Sequence, residues 1–205
     1  MNTRRVPMPR RPSALGNRVG SQPIRVKAVF LVGFMGAGKT TVGRSMAEQL
    51  GWEFTDLDER IEHRQRRSIA SIIRTSGEQN FRKLENAELR RLISETRSGA
   101  KMVVALGGGT IAHPPNLSLV LRHTDRVVFL HVPVEILRRR CLKQARQRGP
   151  QRPLLGTMAE FRARYAARRP FYLQAPIRLN ASGRRFSTVA SEICDAFGLG
   201  RLRRG

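Results

Sequence analysis

The chain of 205 residues is short of acids, cysteines and aromatic rings. Two cysteines, Cys141 and Cys194, are all it has. They stand far apart, form no metal-ligand cluster, and read as ordinary thiols of a reducing compartment. No apolar run approaches the roughly 18 residues that a membrane span needs. Residues 1–27 lack the continuous apolar core of a secretory signal. Four histidines, His63, His113, His123 and His131, share no ligand spacing and read as structural or exposed. The single tryptophan, Trp52, reads as a packing residue before a strand rather than a stacking platform. With 40% apolar residues, the length fits one folded domain with a sizeable core. A soluble intracellular domain is expected.

The scarcity of acids leaves a large excess of cations: 15 Asp and Glu stand against 39 Lys and Arg, a net charge of +24. Such a balance raises the question of nucleic acid, because cationic surface supplies most non-specific affinity for phosphate backbones. The excess is nearly all arginine, however, and it is spread along the chain. Short clusters occur at 64–67, 138–140 and 201–204, without a long polybasic block. This pattern reads as a compositional bias that leaves solvated faces basic. Neither a specific nucleic-acid partner nor a membrane partner is expected.

Residues 1–26 contain six arginines, four prolines and no acid. They read as a disordered basic arm. Prolines at 7, 9, 12 and 23 would break an amphipathic targeting helix, so an idle tail or an overextended start fits better. From Lys27 the pattern changes. Residues 28–32 form a continuous apolar run, as expected of a strand buried on both faces. A glycine-rich turn follows, then a helical pattern through Val42, Met46, Ala47 and Leu50 that Gly51 stops. Further apolar runs lie at 102–106 and 127–132, with a weaker one at 177–179. Helical patterns occupy 59–73, 78–96, 115–121, 134–147, 158–168 and 186–197. Ser76 and Gln79 read as a capping box opening the helix that carries Arg82 and Glu85. Residues 147–153 read as a basic loop, and 199–205 as a basic tail. Strands alternating with helices predict an α/β fold with a parallel sheet covered by helices on both sides.

Gly33-Phe34-Met35-Gly36-Ala37-Gly38-Lys39-Thr40 satisfies G-x-x-x-x-G-K-[ST] at every fixed position, between a buried strand and a helix. The glycines let the backbone curl so that several N–H groups face one anion. The helix N-terminus adds partial positive charge. Lys39 suits the β- and γ-phosphates, and the Thr40 hydroxyl suits Mg²⁺. The chain is therefore expected to bind a nucleoside triphosphate.

Asp56 and Asp58 fall at the expected C-terminal end of the second strand, the edge that faces the ligand crevice in open parallel sheets. Alternation would put both on one side of an extended chain. One carboxylate can then help hold the metal while the other faces an acceptor hydroxyl. The alternative is a polar turn with Asp58 as helix N-cap. Arg82 and Glu85 share a helical face, and an arginine held by its own glutamate is a stiff fork suited to a carboxylate ligand. A weak surface ion pair is the other reading. Gly107, Gly108 and Gly109 follow an apolar strand and permit close backbone approach to a ligand, or form a simple flexible turn. No acid ends that strand, so the usual Walker B aspartate is absent and Asp56 becomes the better metal candidate.

Taken in order, residues 33–44, the Asp56-Leu57-Asp58 pair, Gly77-Glu78 with Phe81-Arg82 and Glu85, Gly107–Gly109, Arg152-Pro153-Leu154-Leu155 and Arg168-Arg169-Pro170-Phe171-Tyr172 resemble shikimate kinase. The resemblance spans about residues 27–198. It implies a P-loop NTPase of the nucleoside-monophosphate-kinase-like three-layer fold, with a five-stranded parallel sheet. It also implies transfer of the ATP γ-phosphoryl to the 3-hydroxyl of shikimate, on the route to chorismate and the aromatic amino acids. The acceptor-binding region would cover about 57–97 and the lid about 144–158. By the same resemblance, Gly36, Ala37, Gly38, Lys39, Thr40 and Thr41 would bind ATP, with Arg138 at the adenine and Arg152 reaching the phosphates from the lid. Thr40 and Asp56 would serve the Mg²⁺. Asp58 would orient or deprotonate the attacking hydroxyl. Arg82 and Arg168 would clamp the shikimate carboxylate, Glu85 would brace Arg82, and Gly107, Gly108 and Gly109 would line the acceptor pocket. Lys39, Asp58 and Arg152 form the catalytic set. A cytoplasmic monomer is the family expectation. Three features depart from the family pattern: the long N-terminal arm, the arginine-rich 144–151 segment and the charge. None removes a catalytic position. Two rivals share the motifs in part: a gluconate or nucleotide kinase of the same fold, and a nucleotide-gated binding protein without turnover.

Overall fold

The computed structural model describes residues 27–148 and 156–200. The expected basic arm, residues 149–153 of the expected basic loop with Arg152 among them, and residues 201–205 lie outside the described residues, while residues 147–148 of that loop are helical instead. Five strands, β1 (Ala28–Val32), β2 (Glu53–Asp56), β3 (Met102–Ala105), β4 (Val127–His131) and β5 (Ile177–Asn180), form one sheet in the order β2-β3-β1-β4-β5. Every neighbouring pair is parallel. Their C-terminal ends therefore share one edge of the sheet. The three inner strands are buried almost residue for residue, whereas β2 and β5 alternate or open to solvent. Side chains of a strand point alternately to both faces, so continuous burial means that both faces of the centre are covered.

The covering helices are α1 (Lys39–Leu50), α2 (Leu57–Gln65), α3 (Ile69–Arg97), α4 (Pro114–His123), α5 (Val134–Arg148), α6 (Met158–Tyr172) and α7 (Phe186–Ala196). Phe30, Phe34, Phe129, Phe161 and Tyr172 are the bulkiest fully buried side chains of the core. Helix ends follow local chemistry. Gly51 closes α1 in the left-handed conformation (φ 64°), its N–H donating to the Ala47 carbonyl. Thr157 and Glu160 form a reciprocal capping box at the start of α6.

Three sequence expectations need correction. The single helix expected over 59–73 is two, because Arg66 turns into the left-handed region (φ 52°) and closes α2. Ser68 then opens α3 by accepting the Ser71 N–H at 3.2 Å. The capping box expected at Ser76 does not form. The helix that carries Arg82 and Glu85 does begin afresh at this point, because the non-helical Gly77 (φ 79°, ψ 161°) divides α3 into two helical runs across a kink, and the Ser76 hydroxyl pairs with Thr75. Finally, Asp56 and Asp58 do not share the face of one strand. Asp56 ends β2 and caps α2, accepting the Asp58 N–H at 3.1 Å, while Asp58 is already helical.

Candidate active site

The loop between β1 and α1 is shaped by glycines that nothing larger could replace. Gly36 has φ 79°, and a Cβ there would meet the Cys141 Sγ and the Leu137 carbonyl oxygen at 2.9 Å. Gly38, at φ 97°, caps α1 without a side chain and packs on Phe186. Lys39 Nζ donates to the carbonyls of Gly33 at 2.9 Å and Phe34 at 3.3 Å, spanning the mouth of the loop. The Thr40 hydroxyl donates to Asp56 Oδ2 at 2.8 Å, bringing the first turn of α1 to the end of β2. Thr41, one residue on, is exposed.

The second half of the site gathers around Gly107–Gly109, just beyond β3. A Cβ on Gly107 would lie 2.5 Å from Asp58 Oδ1 and 2.9 Å from Thr110 Oγ1. On Gly109 it would lie 3.1 Å from Arg82 Nη2 and 3.4 Å from Arg168 Nη2. On Gly108 it would lie 3.2 Å from the Met35 nitrogen of the phosphate loop. One short run of bare backbone thus touches the acid, two guanidinium groups and the phosphate loop. A side chain at Gly107 would collide with Asp58, and one at Gly108 or Gly109 would press on its neighbours, so the absence of side chains is what permits the close approach.

Both arginines are held firmly. Arg82 Nη1 donates to Glu85 Oε2 and Nη2 to Glu78 Oε1, each at 2.9 Å. Glu85 is 1% exposed, and its other oxygen accepts from Thr110 Oγ1 at 2.7 Å. Arg168 Nη1 donates to the Gly108 carbonyl at 3.1 Å, and its guanidinium lies 5.6 Å above the Phe34 ring. The buried Tyr172 hydroxyl donates to the same carbonyl. Glu85, Thr110 and Tyr172 thus fix the orientation of the site from behind. Thr110 and Tyr172 carried no role in the sequence reading. Their one legible signal was place: Tyr172 lies one helical turn after Arg168, and Thr110 directly follows the glycine run.

Asp58 has the distinctive electrostatics. Burial, then the neighbouring Asp56 carboxylate, push its carboxyl up to about 7; Lys39 pulls the other way, and Glu85 and Glu62 add smaller upward pushes. A carboxylate poised there can accept a hydroxyl proton near neutral pH. Around the nucleotide end, Arg140, rather than Arg138, reaches the phosphate loop. Its Nη1 donates to the Gly36 carbonyl at 3.3 Å, Nη2 lies 3.5 Å from the Ala181 carbonyl, and the guanidinium stands 5.7 Å over the Phe186 ring. Arg138 occupies another face of α5, beside Arg139, Lys143, Arg146 and Met158 at a cavity of about 720 Å³. A shift of two residues on a helix turns a side chain by about 200°.

Comparison with known proteins decides what these pieces belong to. The shikimate kinase family model matches residues 35–197. The chain belongs to the shikimate kinase family. Membership makes it a phosphotransferase that phosphorylates shikimate with ATP, in aromatic amino-acid biosynthesis. The chain is 35% identical over 179 residues to a shikimate kinase of Persephonella marina, covering 87% of this chain and all of that one. It also resembles the solved shikimate kinase of Acinetobacter baumannii in complex with shikimate. There the TM-score is 0.74 and the identity 32%, over 85% of this chain and 94% of that one. A gluconokinase of Sinorhizobium meliloti shares the fold at 14% identity and a TM-score of 0.51, over 83% of this chain and 91% of that one. The family match favours the shikimate kinase reading over the gluconate kinase and the non-catalytic binder. The five-stranded parallel sheet agrees with the fold expected of the family.

Proposed function

We propose that Asp58 accepts the proton of the shikimate 3-hydroxyl as the γ-phosphoryl of ATP moves to it, while Arg82 and Arg168 hold the shikimate carboxylate. The observation that carries this reading is the convergence at Gly107–Gly109: an acid of raised pKa at one end, two guanidinium groups at the other. An anionic alcohol laid along the bare backbone would meet a base at its hydroxyl and a fork at its carboxylate. Lys39 and the loop N–H groups take the β- and γ-phosphates. Arg152, assigned to the lid by the family resemblance alone, adds charge to the phosphates. Arg140, bonded to the Gly36 carbonyl and stacked on Phe186, is the α5 arginine best suited to touch the nucleotide. Closure of the site must exclude water, since otherwise ATP would be hydrolysed.

The hard oxygens of Thr40 and Asp56 suit Mg²⁺, which is held by few protein ligands and completes its shell with phosphates and water. Among the described residues no group of three or more His, Cys, Asp or Glu could hold a metal alone, which fits a metal that arrives with the nucleotide. When bound, Mg²⁺ supplies neutralising charge to the transferred phosphoryl. No helix of the described residues is long and apolar enough to cross a membrane. A cytoplasmic location and a monomeric state complete the proposal. Ile73 is the single large hydrophobic exposed among the described residues, which supports a chain without a sticky face.

The test is ADP release from Mg²⁺-ATP with and without shikimate, run beside an Asp58→Asn variant. Saturable, shikimate-dependent turnover that the variant largely loses is expected. Turnover that survives in Asp58→Asn would remove Asp58 from the acceptor side.

A further inference from the structure

Away from the reacting groups, α2 and α3 are tied together by an unusual cluster. Glu88 is 2% exposed, yet three guanidinium groups meet its carboxylate. Arg60 Nε reaches Oε1 at 2.5 Å, Arg64 Nε reaches Oε2 at 2.8 Å, and Arg91 Nη1 reaches Oε2 at 2.9 Å. Arg60 then turns its two remaining nitrogens to Glu95, one of them at 2.9 Å. Arg60 and Arg64 are on α2; Glu88, Arg91 and Glu95 are on α3. Burial pushes the Glu88 carboxyl up, and the hydrogen bonds from Arg60 and Arg91 outweigh it, so the group stays below its ordinary range. Glu88 is therefore a buried charge that guanidinium groups from both helices hold in place.

The position of this cluster gives it a consequence for the reaction. Asp58 stands in the first turn of α2, two residues before Arg60. Arg82 and Glu85 stand on α3, with Glu85 one helical turn before Glu88. The acceptor base and the carboxylate fork thus ride on two different helices, and Gly107–Gly109 touches both. Asp56 anchors the first turn of α2, but the helix is only nine residues long and closes at Arg66, so its tilt against α3 is set in part by side-chain ties such as those of Arg60 and Arg64. We propose that Glu88, through Arg60 and Arg64, is a positioning residue that sets the spacing between Asp58 on α2 and Arg82 on α3. The cluster thereby determines how well the acceptor is held and aligned. This rests on the acceptor-side reading of Asp58 and Arg82.

Arg60→Gln is the first variant, because Arg64 and Arg91 still cover the Glu88 carboxylate and the fold keeps its buried pair. Steady-state kinetics should show the KM for shikimate raised, and kcat/KM for shikimate down about tenfold or more, since small misplacement of reacting groups is costly. The KM for ATP should stay within about twofold, because the phosphate loop is on other elements. Arg60→Lys, which keeps one charged contact, should recover part of the loss. Glu88→Gln should shift the same parameter in the same direction. A lower melting temperature with both KM values unchanged would mean that the cluster only stabilises the fold, and would overturn the proposal. Asp58→Asn, measured in parallel, separates the two failures. If that variant loses turnover while Arg60→Gln keeps a normal shikimate KM, the positioning role falls and the acceptor-side reading stands. If Asp58→Asn keeps turnover, both fall.

Discussion

At Asp58 catalysis and stability pull in opposite directions. The carboxyl ionises at about 7 in the folded chain because burial and Asp56 oppose its charge, against an ordinary value of 3.8. To accept a proton it must be ionised. Below pH 7 kcat/KM for shikimate should therefore fall, by about tenfold per pH unit once the acid form dominates, and a pH–rate profile checks this. The stability consequence has the opposite sign. Between the ordinary carboxyl range and 7 the folded state holds a proton that the unfolded chain has already released, so stability drops as pH rises through that window. Asp58→Asn removes the buried charge. In the nucleotide-free protein at pH 8 the variant should melt higher than the parent while turning over about 10²–10⁴-fold more slowly. Thermal melts at pH 5 and pH 8 check the linkage, since the gain should shrink at the lower value. The glycine opposite supplies a second test at this scale. Gly107→Ala would put a methyl 2.5 Å from Asp58 Oδ1. It should depress shikimate turnover strongly and leave nucleotide binding, measured by calorimetry, near the parent value.

Among the elements, legibility followed burial. β1, β3 and β4 could be read because the sheet centre is covered on both faces and demands unbroken apolar runs. β5 gave only a faint signal, since an edge strand alternates with solvent. The phosphate loop was legible for a different reason: its fixed positions are dictated by backbone geometry and anion chemistry together. What stayed hidden depended on the third dimension. Nothing in the Arg64–Ser68 stretch signals that an arginine would adopt φ 52°, because left-handed closure is usually glycine's role. Three consecutive arginines at 138–140 look alike in sequence, and only the rotation of α5 separates the one at the phosphate loop from the others. Tyr172 and Thr110 were silent because they act on a backbone carbonyl and a buried carboxylate whose positions the chain order does not reveal. The kink in α3 is testable at this scale. Gly77 has φ 79° and ψ 161°, a region that is essentially glycine's own, with no atom crowding its missing Cβ. Gly77→Ala should therefore lower stability by about 1–3 kcal/mol through backbone strain alone, as read from denaturant unfolding.

For the molecule as a whole, the charge of +24 acts at long range, whereas the site works through contacts of a few ångströms. Both substrates of the proposed reaction are anions, and a strongly basic surface raises their local concentration and encounter rate. That contribution is screened within about 10 Å at 0.1 M salt. Contacts such as Arg82 with Glu85 at 2.9 Å are partly buried and much less exposed to screening. Raising the salt from about 20 mM to about 300 mM, on either side of that screening range, should therefore lower kcat/KM for ATP and for shikimate while kcat barely moves. If kcat fell with them, salt would be reaching the site itself. The same surface should take up RNA without sequence preference at low salt and release it as salt rises, in the manner of counterion-driven binding. The two behaviours can be separated in one titration. Added RNA should inhibit turnover at the lower salt by occupying the basic faces, and the inhibition should vanish at the higher salt. Inhibition that persists at high salt would instead identify a nucleic-acid site with contacts of its own, and the arginine excess would then be more than a bias of composition.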